Sequence, residues 1–374
     1  MKVLMVTPYF PPHVGGMEVF VYKLSNRLYE KGIEVEVLTT KIPSEYNLDT
    51  PYRVERVNPG IVLMRNPIVF ELFKKTKYLK RFDIIHAHDE HAFATNIVSL
   101  SKNKYNKPLI IHSHGLFYPE SFLESIVASL YNATLGKWSL KRADKVIALS
   151  RNDGKFIENL GVEREKIEVI PNAIDPRDYD LNIDPGDFAD KHELQGWKIV
   201  LYVGAIIKRK GLNYLIRAVS MLDNRRKVKL LVIGDGGYRR ECEKLVQKLN
   251  LQKNVVFLGR VSREDLMKAF KIADVFVLPS LVEGVPTVIL EAYLYEKPVV
   301  AFDIPEVAEY FRNSALLVPS KNVEMLAQAI NRVLTEPEAA RENVKKGKKV
   351  LTQNFIWDKT LEKIIKVYEN LLSR

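Results

Sequence analysis

At 374 residues the chain is longer than one ordinary hydrophobic core sustains, and two domains are expected. Hydrophobic residues make up 47% and charged residues 28%, a soluble globular balance, and no apolar run approaches a membrane span. The net charge of +11 suits nucleic acid, an anionic membrane or a phosphorylated substrate. The charges are interspersed, however, and neither a nucleic-acid motif nor an aromatic–basic ladder is present, which argues against nucleic acid.

The opening stretch MKVLMVTPYFPPHVGG turns to Pro and Gly where a signal peptide would carry its cleavage site, so it reads as a first strand and loop. A single cysteine, Cys242, excludes an intrachain disulfide and fits a reducing compartment. The expected location is cytoplasmic, and the Lys- and Glu-rich composition fits a thermophile. Gly15 and Gly16 follow the first strand and precede a helix. They either admit a ligand's anion close to the backbone or serve as a helix-entry turn. The pattern is not Gly-x-Gly-x-x-Gly, which counts against a dinucleotide cofactor.

Short apolar runs then alternate with amphipathic stretches: VEVLTT, DIIHAH, PLIIHSH, KVIALS and IEVIPN are of buried-strand length. Val19, Tyr22, Lys23, Leu24 and Leu28 have helical spacing. This is the rhythm of βα units with a parallel sheet. Two segments stand out, the basic amphipathic FELFKKTKYLKR (70–81) and the apolar-rich FYPESFLESIVASLY (117–131). Each is either a membrane-surface contact or a core-facing helix with a solvated face.

Five of the seven histidines fall in HAHDEH and HSHG. Period two puts His86 with His88, and His112 with His114, on one face of each strand. A metal site needs further ligands at suitable spacing, and neither a His-Glu-x-x-His motif nor a cysteine pair is present, so no metal is expected. His114, next to Gly115, suits a neutral imidazole bonded to a polar substrate; the other three read as buried, satisfied histidines.

Around residue 176 the texture becomes polar and non-periodic, the mark of a connection, and then strands resume with KIVLYVGA, KLLVIGDG, VVFLGR, VFVLPS, PVVAFD and ALLVPS. The reading is two doubly wound, Rossmann-like α/β domains, 1–175 and 176–356. The last helix, 357–374, is assignable to either. Ligands of such sheets bind beyond the carboxyl ends of the strands, and two facing sheets would put the site in a cleft. In the second half, Lys208, Arg209 and Lys210 follow the first strand, where they either neutralise phosphate or form a solvated charge run. VIGDGG is a nucleotide-proximal turn or a packing turn. Glu283 and Glu291 are separated by Gly284 and Pro286, which break any helix holding both. A helix starting near Pro286 puts Glu283 in the loop ahead of it and Glu291 inside it. The amides of Thr287 and Val288 then offer an anion or hydroxyl site between two carboxylate grips.

EGVPTVILEA resembles the Glu-x7-Glu motif of the retaining glycosyltransferases of family 4, which have the two-domain GT-B fold. PYFPPHVGG, the HG after a strand, VIPNAID, VGA…KG, IGDGG and ADVFVLPS follow in that family's order over nearly the whole chain. The resemblance implies a metal-free transfer of a hexose-type sugar from a UDP-, GDP- or ADP-sugar to a glycan, lipid-linked or small-molecule acceptor. It implies no cofactor beyond the sugar nucleotide. It also implies that Gly15 and Gly16 approach the donor diphosphate, His114 contacts the donor sugar, and Lys210 neutralises the departing diphosphate. Glu283 and the amides after it, including Gly284, Val285, Thr287 and Val288, would hold the sugar, and Glu291 the ribose. The last helix would cross back to the first domain, which would carry the acceptor. If segment 70–81 is the membrane-surface contact, it would rest peripherally on an anionic membrane bearing a lipid-linked acceptor. Ala205 departs from the family, which has Arg there, and Arg209 is the expected substitute; Ala173 replaces a Gly. Competing readings are a sugar-nucleotide epimerase or glycan phosphorylase on the same fold, a non-catalytic nucleotide-sugar-binding protein, and a metal hydrolase built on the histidines.

Overall fold

The computed structural model describes residues 1–13, 15–44, 48–63, 66–115, 130–223 and 227–373. Most of the segment 117–131 lies outside them. The chain divides into two compact units, Met1–Asn172 with Asp358–Arg374, and Ala173–Trp357.

In the first unit, β1 (Lys2–Val6), β2 (Glu34–Thr40), β3 (Arg53–Val57), β6 (Ile84–His88), β7 (Leu109–His112), β8 (Lys145–Ala148) and β9 (Ile167–Val169) form one sheet in the order β3-β2-β1-β6-β7-β8-β9. All its pairings are parallel. A separate antiparallel hairpin joins β4 (Ile61–Leu63) and β5 (Asn66–Ile68). The labelled helices are α1 (Gly16–Glu30), α2 (Glu71–Lys75), α3 (Phe93–Tyr105), α4 (Lys137–Arg142) and α5 (Arg151–Asn159). The strands are apolar because the parallel sheet is covered on both faces. Ile85, Ala87 and Ile111 enter the large apolar cluster on one face, and the intervening His86, His88 and His112 point to the other.

The second unit contains β10 (Lys198–Val203), β11 (Val228–Ile233), β12 (Val255–Gly259), β13 (Val275–Leu278), β14 (Val299–Asp303) and β15 (Leu316–Pro319), ordered β12-β11-β10-β13-β14-β15. These pairings too are parallel. Its helices are α6 (Gly186–Lys191), α7 (Leu212–Ser220), α8 (Arg239–Lys248), α9 (Arg263–Ile272), α10 (Thr287–Leu294), α11 (Pro305–Phe311), α12 (Val323–Thr335) and α13 (Pro337–Asn354). The final helix, α14 (Trp357–Leu372), belongs to the first unit apart from its first residue. There the Tyr368 hydroxyl lies 2.6 Å from His86 Nδ1.

In each sheet the strand order reverses at one point, β1/β6 in the first and β10/β13 in the second. Loops at such a reversal diverge to opposite faces and leave a crevice beyond the strand ends. Among the described residues, no helix is long and apolar enough to cross a membrane.

Candidate active site

The crevice of the second unit is built from the loops after β10 and β13. Strand β10 ends at Val203, and the chain tightens into a turn over Lys208–Lys210 before α7. Gly211 makes that turn fit: its φ is +68°, and a Cβ there would lie 1.9 Å from the Pro279 carbonyl oxygen. Only glycine can therefore seat this turn on the end of β13. The Leu281 amide donates to the Arg209 carbonyl at 2.8 Å, locking the two loops together.

Lys210 Nζ consequently donates to both Glu283 oxygens, each at 2.6 Å. Ser280 Oγ, itself buried, donates to Glu283 Oε1 at 2.6 Å. Glu283 is only 6% exposed, and a buried carboxylate needs such partners. The resemblance implies separate tasks, Lys210 on the diphosphate and Glu283 on the sugar. Here Lys210 sits directly on Glu283, and one ammonium proton remains for a third acceptor.

Pro286 caps α10, which begins at Thr287, so the first amides of the helix follow directly on Glu283, Gly284 and Val285. Val285 is buried, while Gly284, Thr287 and Val288 are partly exposed. Glu291 lies one turn along, and Tyr179 donates its hydroxyl to Glu291 Oε1 at 2.9 Å. Burial first, and then the Glu291 charge, raise the Tyr179 hydroxyl above its usual range, so it stays a donor. Arg263 lies 4.9 Å over the Tyr179 ring and donates to the Asp178 carbonyl at 2.9 Å. Tyr179 and Ser280 were missed in the sequence. A tyrosine in a polar connecting segment gives no periodic signal, and Ser280 reads as a strand end.

Ala205 is exposed, and Arg209 is half-buried. Glu283 raises the Tyr202 hydroxyl, after burial, and Arg209 opposes it, so both charges act on the same spot. IGDGG resolves as packing: a Cβ at Gly234 would lie 2.0 Å from the Gly204 carbonyl oxygen, and one at Gly236 2.5 Å from that of Ile206. The loops after β10 and β11 thus ride on each other's backbone, with Ile206 N bonded to the Asp235 carbonyl at 3.0 Å.

In the first unit the loop after β1 is held by Thr40 Oγ1, which donates to the Pro8 carbonyl at 2.6 Å, and by Arg56, which donates to that of Pro11. Gly15 is extended and precedes α1, and a Cβ there would meet the Glu18 carboxylate at 2.1 Å. Glu18 Oε1 also lies 2.9 Å from His13 Nδ1. Gly16, in contrast, has open space where a Cβ would stand.

Four histidines line one face of β6 and β7 and the end beyond them. His88 pairs with His112 in register, and His88 Nδ1 lies 2.9 Å from His114 Nε2. Phe20 of α1 sets its ring against His88, His112 and His114. Burial lowers His86 to about 3 and His114 to about 4, and leaves His88 and His112 well below the ordinary value, so all four are neutral. His112 departs from the expectation of a satisfied histidine: among the described residues neither of its ring nitrogens has a hydrogen-bond partner. One ligand atom each of His86, His88 and His112 lie within 4.8 Å of one another, as do those of Asp89, Glu90 and His91. The three rings are within 24° of parallel, an arrangement that does not converge three in-plane lone pairs on one ion.

Two parallel α/β units, each with a switch-point crevice and one with a lysine–glutamate pair ahead of a helix start, define a ligand-binding protein of the two-domain α/β type. Family models agree: Glycosyltransferase Family 4 matches residues 14–178 and Glycosyl transferases group 1 matches 187–350. The chain belongs to the family 4 glycosyltransferases and has the GT-B fold. It is 29% identical to the uncharacterized glycosyltransferase MJ1607 of Methanocaldococcus jannaschii, over 99% of this chain and 98% of that protein. The GPI3 subunit of phosphatidylinositol N-acetylglucosaminyltransferase from Saccharomyces cerevisiae is 23% identical over 100% of this chain and 83% of its own. Anabaena Alr3699/HepE, solved in complex with UDP, superposes with a TM-score of 0.82 at 20% identity, covering 99% of this chain and all of that one.

Proposed function

We propose that the enzyme moves a hexose-type sugar from a nucleotide-diphosphate sugar to a glycan, lipid-linked or small-molecule acceptor, with retention and without metal. The observation that carries this reading is Lys210 held on buried Glu283 immediately ahead of the α10 N-terminus. Negative charge grows on the diphosphate as the C1–O bond breaks. The remaining Lys210 proton and the α10 amides stabilise that charge without reorganising. The acceptor oxygen bonds C1 on the same face, and its proton passes to the departing phosphate. Arg209 supplies the second cation in place of Ala205, Glu283 and the following amides hold the sugar, and Glu291 takes the ribose hydroxyls. Gly15 and Gly16 admit the diphosphate from the first unit, and neutral His114 bonds the sugar.

HepE complexes with UDP and with UDP-glucose support a nucleotide-sugar donor, and the GPI3 name supports a lipid-linked acceptor. The single buried Cys242 supports a cytoplasmic setting, and the Lys/Glu-rich composition a thermophilic source. The test is donor cleavage across UDP-, GDP- and ADP-sugars with and without chelator, with the product's anomeric configuration read by proton NMR. Cleavage in chelator with retained configuration is expected. Loss of activity in chelator favours the metal hydrolase, inversion removes the same-face mechanism, and binding without cleavage favours a non-catalytic protein.

A further inference from the structure

Large exposed apolar side chains gather at one place in the first unit. Ile61, Val62 and Leu63 of β4 are 64%, 49% and 60% exposed, and Phe70 and Phe73 are 60% and 50% exposed. They sit on a fixed base. The Gly60 amide donates to the Ile68 carbonyl at 2.9 Å, and a Cβ on Gly60 would touch the Phe70 ring at 3.4 Å. Phe70 and Phe73 both stand edge-on to Phe93 of α3, with centroids 6.0 and 6.2 Å away, while Leu72 and Leu79 are buried. The segment expected to be one amphipathic helix is therefore α2 followed by a tighter helical turn over Thr76–Arg81. This leaves the two phenylalanines outward.

Segment 70–81 carries five cations and one carboxylate. Lys75 is held by Glu55 and Glu71. Lys74, Lys77 and Lys80 are exposed, and among the described residues no carboxylate pairs with them. Exposed apolar side chains on β4 and on the neighbouring segment that carries Phe70 and Phe73, beside such cations, match the two layers of an anionic bilayer surface, acyl boundary and phosphate headgroup. A second copy packed on the same patch would bring its lysines against these, which opposes a dimer here.

We infer that β4 and segment 70–81 form an interfacial docking surface for an anionic lipid bilayer. Ile61, Leu63, Phe70 and Phe73 enter the headgroup boundary, and Lys74 and Lys77 meet lipid phosphates. The inference stands apart from the transferase chemistry, because vesicle binding is read without turnover.

The whole chain is floated with vesicles of phosphatidylcholine alone and of phosphatidylcholine with phosphatidylglycerol in equal amounts. Co-flotation with the anionic vesicles only, falling with salt, is expected. The F70S/F73S variant should lose binding by about tenfold, and K74E/K77E should lose the preference for anionic lipid. Both should keep the wild-type melting temperature and donor cleavage. Absence of flotation, or flotation unchanged in both variants, overturns the inference. So does a wild-type dimer, seen by light scattering, that F70S/F73S dissolves.

Discussion

Tyr179 donates its hydroxyl to Glu291 Oε1 at 2.9 Å, joining the segment that opens the second unit to the helix that carries Glu291. One carboxylate oxygen is thereby fixed, which restricts the orientation of the whole side chain. Tyr179→Phe should raise the donor KM roughly tenfold with little change in kcat, since a hydrogen bond to a charged group contributes about 1.5–3 kcal/mol. Glu291→Gln should raise it at least as much. A saturation curve identical to wild type in both variants would remove the ribose role.

Lys210 and Glu283 form one unit, so their substitutions should not add. Lys210→Ala should lower kcat by about 10²–10³-fold, the range for losing one preorganised charge-stabilising donor. Glu283→Gln should also depress turnover strongly. In the double variant the loss should fall well short of the product of the two. Strict multiplicativity in steady-state kinetics would mean that the pair acts as two independent contacts.

The glycines separate packing from binding. Gly211→Ala forces a Cβ onto the Pro279 oxygen in a left-handed backbone, and should lower stability by about 1–3 kcal/mol. Gly16→Ala meets open space at the start of α1, so melting should be unchanged or slightly raised. Any rise in donor KM for Gly16→Ala then reports a ligand near that α-carbon. Calorimetry beside kinetics distinguishes them, and a destabilised Gly16→Ala would contradict the open space seen here.

The histidine face sets an acid limit. Burial depresses the folded values, to about 3 for His86 and about 4 for His114, while the unfolded imidazoles titrate near 6.5. Stability is complete above about pH 6.5 and is lost as pH falls toward those folded values, because only the unfolded chain takes up the protons. Each such proton costs about 1.4 kcal/mol per pH unit. The melting temperature should therefore drop steeply between about pH 6.5 and 4, and His112→Leu should flatten the slope by about one proton. A melting temperature independent of pH over that window would contradict the buried neutral cluster.

Much of this was legible in the sequence. The continuous apolar runs became the central strands, since two-sided burial leaves no room for polar alternation. Pro286 and Gly284 correctly announced the start of α10 and the placing of Glu283 outside it. Strand β3, Arg-Val-Glu-Arg-Val, escaped because an edge strand carries charge on its open side. The β4–β5 hairpin is too short to show a period. What the sequence could not show was contact between distant residues. Lys210 against Glu283 depends on β10 and β13 being neighbours, and Tyr179 on Glu291 depends on where the connecting segment lies.

Because α14 contributes Tyr368 to His86, the first unit is assembled from the two extremes of the chain. During synthesis, residues 173–357 emerge as a complete set before the first unit has its last helix. The second unit can therefore mature while the first still lacks the helix that brings Tyr368 to His86.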